Sequence, residues 1–214
     1  MHVLCAYAAP VEAGPLPREP APDGAEFLEL GVGKVTSTLT LTERLSGGTR
    51  PDLVLLFGLC GSHASAPGSL TVGDLCLITE DCLADEGVQT ELGFRSMVEL
   101  GLSTSLDCTM DPRLTTQAGS ILAAVRQVKG STVSTCSGND VVAKALLTRS
   151  GAQVESMEGA AAGIVCQHFK TPMVQLRCVS NYTGDRGRGS WDIRSASEKV
   201  QEAVRQLLRG PWLT

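Results

Sequence analysis

The sequence predicts an α/β protein with three layers, in which helices cover both faces of a central mixed sheet. Short apolar runs alternate along the chain with stretches whose apolar residues recur at helical spacing, and this alternation is typical of three-layer α/β domains. Glycine or proline stands at most junctions between them. No internal repeat or low-complexity segment divides the 214 residues. We therefore expect one domain over residues 1–214.

In the first half, four apolar runs predict strands at residues 3–8, 27–30, 53–57 and 75–79. The proline-rich segment 15–22 allows at most a shortened helix after the first strand. A helix is expected between Lys34 and Gly47, because glycine favours helix ends. The face of this helix that we expect to be buried consists of Val35, Leu39, Thr42 and Leu45.

In the second half, helical spacing predicts a helix at 116–129 that ends at Gly130, and a strand follows at 131–137. A short helix should end at Gly151, and another should run from 154 to 169 and stop before Pro172. Residues 173–179 read as a buried strand. The last helix should begin at a Ser195–Glu198 capping box. Its apolar stripe consists of Val200, Val204, Leu207 and Leu208.

Charge and composition exclude several classes of function. The net charge is −5 and the chain has no basic run, while aromatic residues make up only 4%, so neither nucleic acid nor base stacking is indicated. The chain begins Met-His-Val-Leu-Cys without a cationic segment or a long apolar run, which disfavours secretion and membrane insertion and favours the cytoplasm. Eight scattered cysteines without a C-x-x-C pair, and three histidines, predict buried thiols and no metal site.

Carboxylates and an amide gather where predicted strands end. Glu12 follows the first strand, and Asn181 and Asp185 follow the strand at 173–179. Open α/β sheets bind ligands beyond the carboxyl ends of their strands. Glu155 and Glu158 lie three residues apart at the expected start of a helix, where the helix dipole favours acidic groups. For Glu155 this dipole role is the preferred interpretation.

Two motifs carry a resemblance to a known family. Ser156-Met157-Glu158-Gly159-Ala160-Ala161, followed by Arg177-Cys178-Val179-Ser180-Asn181, resembles the signature of the purine nucleoside phosphorylase and nucleosidase superfamily. Asn181, and an arginine followed by Trp191-Asp192-Ile193, are most similar to the futalosine hydrolase branch, which serves the menaquinone route. The likeness continues in fragments, in order, from Glu12 through the glycine turns. It implies hydrolysis of an N-ribosidic bond without any cofactor.

The resemblance also implies roles for single residues. Glu158 would hold the ribose 2′- and 3′-hydroxyls together with the backbone of Met157, and Glu12 would be the general base for water. Asn181 would recognise the purine. An amide N–H satisfies the carbonyl of a 6-oxopurine, which an ionised aspartate would repel, so hypoxanthine or guanine is favoured as the leaving group. A charge such as Arg177 needs a partner if it is buried, and Glu12 or Glu158 are candidates.

The purine pocket has three further candidates. Val141 and Val142 align with residues that hold the purine through backbone groups, although core packing is favoured for their side chains. Trp191 either closes over the nucleoside or packs in the core. The family likeness further implies a homodimer or larger homo-oligomer.

Three alternatives stay open at this point. Phosphorolysis needs cationic groups to bind phosphate, and the segment around Glu12 offers only Arg18 nearby. A 5′-methylthioadenosine/S-adenosylhomocysteine nucleosidase is the second alternative, and a nucleoside-binding scaffold without activity is the third. A scaffold would be expected to have lost one of the acidic residues, and the chain retains both Glu12 and Glu158. Hydrolysis of a 6-oxopurine nucleoside is therefore the favoured hypothesis.

Overall fold

A computed structural model of the chain describes residues 1–20, 24–103, 105, 107–184 and 191–210. The strands are β1 (Val3–Tyr7), β2 (Ala25–Glu29), β3 (Leu53–Ser62), β4 (Leu75–Leu83), β5 (Gly87–Thr90), β6 (Gly93–Ser96), β7 (Asp107–Thr109), β8 (Arg126–Thr132), β9 (Val154–Ser156) and β10 (Met173–Tyr182). The helices are α1 (Pro10–Ala13), α2 (Lys34–Ser46), α3 (Pro112–Ile121), α4 (Asp140–Ser150), α5 (Gly159–Phe169) and α6 (Ile193–Arg209). A short 3₁₀ turn covers Leu16–Arg18.

The central sheet is mixed. Strand β3 pairs in parallel with β1 and with β10, and β1 pairs in parallel with β2. Strand β10 also pairs antiparallel with β4. Strand β4 pairs in parallel with β8, and β8 pairs in parallel with β9. Strand β9 in turn pairs antiparallel with β3. The five strands β3, β10, β4, β8 and β9 therefore close a ring, and β1 and β2 extend the sheet outward from β3.

Apolar side chains are buried on both faces of the sheet. One cluster packs residues of α3 and α6 against β1, β3 and β10, and it includes Leu114, Val200 and Val204. The other packs α2 and α5 against the opposite side of β1 and β3, and it includes Leu41 and Val165. The predicted α/β fold with a central mixed sheet and helices on both faces is confirmed. Among the described helices, none has the length and apolar content needed to cross a lipid bilayer.

Several predicted elements hold and several are wrong. The strands at 3–8 and 173–179, the short helix before Gly151 and the buried stripe of α6 are confirmed within a few residues. The expected helix at 116–129 is wrong: α3 stops at Ile121, Ala124 takes a positive φ of 60°, and β8 follows. The α6 capping box is also wrong, because Asp192 caps α6 and accepts the Ser195 N–H.

The expected buried face of α2 is mostly wrong. Ser37, Leu41 and Leu45 point inward, whereas Val35 and Leu39 are 82% and 57% exposed. The helix expected from residue 154 begins only at Gly159, because Val154–Ser156 pair as β9 between β3 and β8. Glu155 therefore lies in a strand and Glu158 at the N-cap of α5, so the two carboxylates do not share a helix face.

The strand ends define where a ligand can approach. Because β1, β3 and β10 run in parallel, their carboxyl ends lie at the same edge of the sheet. Strand β9 brings Ser156 and the start of α5 to that edge from the other side of β3. Glu12 follows β1 and Glu158 follows β9, whereas Gly61 and Asn181 are the penultimate residues of β3 and β10. All four residues line one cavity at this edge.

Candidate active site

A cavity of about 200 Å³ opens at this edge of the sheet. Glu12, Glu155, Glu158 and Asn181 line it together, although they come from three separate parts of the chain. All four side chains are buried, with 4–9% of their surface exposed. The expectation that Glu12 and Glu158 border one cavity agrees with this geometry.

Three backbone N–H groups hold the Glu12 carboxylate. Its Oε2 accepts from Ala8 at 2.8 Å and from Ala9 at 3.1 Å, and its Oε1 accepts from Leu59 at 2.8 Å. A carboxylate has about four acceptor sites, so one remains for a ligand or a water molecule. The residue belongs to the four-residue helix α1, the shortened helix that the prolines allow. Gly58 makes this possible, since a Cβ there would lie 2.7 Å from the Glu12 carboxyl carbon.

Glu158 occupies the N-cap position of α5, and its side chain extends to the glycine turn before α2 instead of capping the helix. Its Oε1 accepts the Gly33 N–H at 3.0 Å, and Gly33 has a φ of 94°, which favours glycine. The glycine turn thus binds a carboxylate of the protein. Burial raises the pKa of Glu158, whereas Arg177 and the Gly33 N–H lower it and the nearby Glu12 charge raises it further.

Arg177 lies beneath the two glutamates and is 1% exposed. Its Nη1 is 3.7 Å from Glu158 Oε2 and donates to the Leu59 carbonyl at 3.3 Å. A Cβ added to Gly58 would lie within 3 Å of both Arg177 Nη1 and a Glu12 oxygen, so these three groups converge. The prediction that Arg177 needs an acidic partner is confirmed, and that partner is Glu158.

Asn181 is oriented by its neighbours at the end of β10. Its Oδ1 accepts from the Ser180 hydroxyl at 2.8 Å, and its Nδ2 donates to the Tyr182 carbonyl at 3.0 Å. The second N–H of Nδ2 is left for a ligand, because a primary amide carries two donors. Gly61 lies directly beside this amide, and a Cβ there would be 3.1 Å from Nδ2.

The other predicted residues divide into three groups. Met157 and Trp191 line the cavity, and Trp191 is 41% exposed, so it is not a core residue. Val141 and Val142 lie on the exposed side of α4, so the expected core packing of their side chains is wrong. They are not among the described residues that line the cavity, and the Val142 N–H is bonded to the helix-capping Asn139. Asp185 lies outside the described residues.

Two residues that line the cavity, Glu155 and Ser137, were not predicted from the sequence to be site residues. Ser137 donates its N–H to Glu155 Oε1 at 2.9 Å and its hydroxyl to Oε2 at 2.5 Å, and both residues line the cavity. Burial raises the pKa of Glu155, and the two bonds from Ser137 lower it. The signal for Glu155 was its position beside the Met157-Glu158 motif, but that position was assigned to a helix rather than to β9.

The charge of the cavity is negative. Three glutamates line it, while no lysine or arginine is found among its described lining residues. Arg177, the nearest buried cation described here, is bound beneath the glutamates. Within the described part of the chain, no group of three or more histidine, cysteine, aspartate or glutamate side chains has the geometry to hold a metal ion. The arrangement suits a neutral polar ligand with hydroxyls more than an anion.

Comparisons with known proteins agree with this geometry. The family model described as "Phosphorylase superfamily" matches residues 27–209. Futalosine hydrolase of Thermus thermophilus is 32% identical over 189 residues, covering 86% of this chain and 81% of that protein. Futalosine hydrolase of Streptomyces coelicolor is 33% identical, with 97% and 95% covered.

A solved structure supports the fold independently. The 5′-methylthioadenosine/S-adenosylhomocysteine nucleosidase of S. pneumoniae superposes with a TM-score of 0.79 at 16% identity, and the match covers 98% of this chain and 99% of that one. At this identity the likeness speaks for the fold alone. Taken with the family match and the two hydrolase relatives, it shows that the chain belongs to the phosphorylase superfamily, among the nucleosidases related to futalosine hydrolase.

Proposed function

We propose that the protein hydrolyses the N-ribosidic bond of futalosine and releases hypoxanthine and dehypoxanthine futalosine. The observation that carries this proposal is the meeting of Glu12 and Glu158, two buried carboxylates, with the amide of Asn181 on one small cavity. The similarity to two futalosine hydrolases over most of the chain supports the choice of substrate.

Glu158 binds the sugar in this proposal. An ionised carboxylate accepts two hydrogen bonds from a vicinal diol, and the backbone of Met157 beside it completes the contact. The bond to the purine breaks with positive charge developing on the ribose ring, and a nearby negative charge stabilises that transition state. Arg177 favours the ionised form of Glu158 because it lowers the pKa that burial raises.

Glu12 activates the attacking water. The three backbone N–H groups fix its carboxylate at the cavity wall, and its remaining acceptor site can take the proton of a water molecule. The water oxygen bonds to the anomeric carbon, while the electron pair of the C–N bond leaves with the purine. The purine then takes up one proton, so that H and OH are added across the broken bond. These steps use only residues of the chain and no metal or coenzyme.

Asn181 stabilises the leaving purine. Its second amide N–H can donate to the oxygen of a 6-oxopurine as negative charge develops on the ring. Trp191, at the mouth of the same cavity, covers the nucleoside in this proposal. Val141 and Val142 keep their predicted backbone contact with the purine only if α4 moves toward the cavity when substrate binds.

Water is favoured over phosphate as the nucleophile. A phosphate ion would enter a cavity lined by three glutamates, with no lysine or arginine among the described lining residues. Phosphate sites normally offer cationic or clustered N–H donors. We therefore expect the reaction to proceed equally well without phosphate.

We further propose a pathway, a compartment and an assembly state for the enzyme. As a futalosine hydrolase it acts in menaquinone biosynthesis, and it works in the cytoplasm as a homodimer or larger homo-oligomer. An outward apolar stripe supports self-association: Val32, Val35 and Leu39 are 55–82% exposed, and Val32 also lines the cavity. Neither nucleic acid nor membrane is expected as a partner.

A panel of nucleosides tests the proposal. Release of free base is measured for futalosine, inosine and 5′-methylthioadenosine, each with and without inorganic phosphate. We expect hypoxanthine from futalosine at a rate that phosphate does not change. A strict requirement for phosphate would contradict hydrolysis, and preferred cleavage of 5′-methylthioadenosine would contradict the proposed substrate.

A further inference from the structure

Glu155 faces Asn181 across a glycine on the wall of the cavity. In the sheet, Gly61 of β3 pairs with Glu155 of β9 on one side and with Asn181 of β10 on the other. The β10 register shifts just before Asn181, and the side chain of Asn181 lies over Gly61, where a Cβ would be 3.1 Å from its Nδ2. Glu155, Gly61 and Asn181 all line the cavity. Neighbouring strands lie about 4.8 Å apart, so the two backbones are roughly 10 Å apart. Gly61 has no side chain, which leaves the space between the two polar groups open.

The two side chains present opposite hydrogen-bonding groups to that space. Asn181 has one N–H left after its bond to Tyr182. The Glu155 oxygens accept one hydrogen bond each, both from Ser137, and an ionised carboxylate has about four acceptor sites. Ser137 donates to both oxygens, so the remaining lone pairs of Glu155 are the acceptors that it offers to a ligand. The pair thus consists of one donor and one acceptor, side by side and 6–9% exposed.

This pair matches one edge of a 6-oxopurine. Such a base carries an N1–H donor next to its C6 carbonyl acceptor. A 6-aminopurine carries the reverse, an N1 acceptor next to an amino donor. Against the 6-amino edge, the carboxylate would face a lone pair and the amide N–H would face another N–H. Buried groups that are left unpaired reject a ligand strongly.

We propose that Glu155 is a specificity-determining residue: its carboxylate accepts the N1–H of a 6-oxopurine while Asn181 donates to the C6 oxygen. Ser137 positions the carboxylate, and Gly61 provides the flat surface beneath the base. The inference rests on the proposed function for its substrate class, but it assigns to Glu155 a contact with the base instead of a role at a helix dipole. Selection of a 6-oxopurine over a 6-aminopurine then depends on both Glu155 and Asn181.

Kinetics on matched substrates test this assignment. The wild type, Glu155→Gln and the exposed-residue control Glu43→Gln are compared on futalosine, its N1-methyl derivative and its 6-amino analogue. In the wild type, N1-methylation should lower kcat/KM about 100-fold. In Glu155→Gln the new amide can donate to an unprotonated N1, so the preference for futalosine over the 6-amino analogue should fall by roughly 100-fold. A purely structural role would lower activity on all three substrates alike.

A binding measurement separates this inference from the proposed function. Calorimetry gives the Kd of hypoxanthine, 1-methylhypoxanthine and adenine for the same three proteins, without reference to the sugar. We expect wild type and Glu43→Gln to prefer hypoxanthine at least 10-fold over both other bases, and Glu155→Gln to lose that preference. If the wild type cleaves futalosine but Glu155→Gln keeps its selectivity within twofold, the assignment of Glu155 is overturned and the proposed function stands. If the wild type does not cleave futalosine, the proposed function fails, and the Kd values of the three bases alone show whether Glu155 selects a 6-oxopurine.

Discussion

Arg177 is the residue on which the charge balance of the site depends. Among the described residues it is the largest fully buried side chain, and it lies against Glu158 with Glu12 close by. A buried carboxylate that loses its cation becomes costly, because its charge is no longer compensated. Arg177 therefore allows Glu158 to remain ionised in spite of its burial.

Replacing Arg177 should shift the pH dependence of catalysis. Arg177→Met removes the charge that lowers the Glu158 pKa, so that pKa rises further and the acid limb of the kcat/KM profile moves to higher pH. The change should also lower the free energy of unfolding by about 3–5 kcal/mol. Arg177→Lys keeps the charge and serves as the matched control. An acid limb at the same pH in Arg177→Met and the wild type would rule out this role.

At the scale of an element, a series of buried side-chain hydrogen bonds holds the first turn of α5 in place. The Ala160 N–H donates to Thr132 Oγ1 at 2.8 Å, and Thr132 donates in turn to Asp81 Oδ1 at 2.9 Å. Gln175 donates to the other Asp81 oxygen at 3.1 Å. These contacts hold the turn that carries Met157 and Glu158, so the position of the sugar-binding carboxylate depends on β4, β8 and β10 together.

Asp81 should make stability depend on pH. Burial raises its pKa from 3.8 to about 6, so the folded protein holds this proton more tightly than the unfolded chain. Its stabilising contribution is present below about pH 4 and is lost as pH rises through 6. The unfolding free energy of the wild type relative to Asp81→Asn should thus fall by roughly 2.5 kcal/mol between pH 4 and 7.

Urea denaturation at each pH measures this difference. Asparagine resembles the protonated acid, and its amide can donate to Gln175 Oε1, which has no hydrogen-bond partner among the residues that the structure describes. Glu43→Gln, which removes an exposed carboxylate, is the control for the loss of one acidic group. A difference between wild type and Asp81→Asn that stays constant over this range would show that Asp81 titrates normally.

The sequence predicted an element well where its apolar residues fitted only one kind of secondary structure. Strands β1 and β10 are mainly apolar runs, and the apolar stripe of α6 has helical spacing. Val125 and Val128 fitted the spacing of a helix as well as that of a strand. Helix α3 ends before Ala124, where φ is positive, and an alanine gives no indication of such a break. Gly130 was taken for a helix cap, but it lies in β8, where glycine is required since a Cβ would be 2.8 Å from Asp81 Oδ2. That constraint is tertiary, so the sequence alone could not reveal it.

On the scale of the whole molecule, the site was more predictable than the elements around it. Glu12 follows β1 and Asn181 lies at the end of β10, and the parallel pairing of both strands with β3 brings these ends together whatever the exact boundaries. Glu158 was found through its motif. The position of Glu155 could not be predicted in the same way, since a three-residue strand is too short to show a pattern. The partner of Arg177 was correctly limited to two candidates, because a buried charge needs compensation.

The outward stripe on α2 leads to a prediction about assembly. If Val35 and Leu39 are covered by a second copy of the chain, the wild type should sediment at no less than twice its mass of 22.4 kDa. The double change Val35→Lys with Leu39→Lys places charges on that surface and should give monomers. Thr148→Lys, on the exposed side of α4, is the control. A wild type that is monomeric at micromolar concentration would contradict the homo-oligomer.

The most direct test of the central claim is the rate of hypoxanthine release from futalosine by Glu12→Gln and Glu158→Gln, measured in phosphate-free buffer beside the wild type and Glu43→Gln. Each active-site change keeps the size of the side chain and removes one of the two charges at the sugar. We predict that each lowers kcat/KM by at least roughly 100-fold, while Glu43→Gln matches the wild type. Near-normal release by a folded Glu12→Gln or Glu158→Gln protein would contradict the claim that both carboxylates act on one nucleoside.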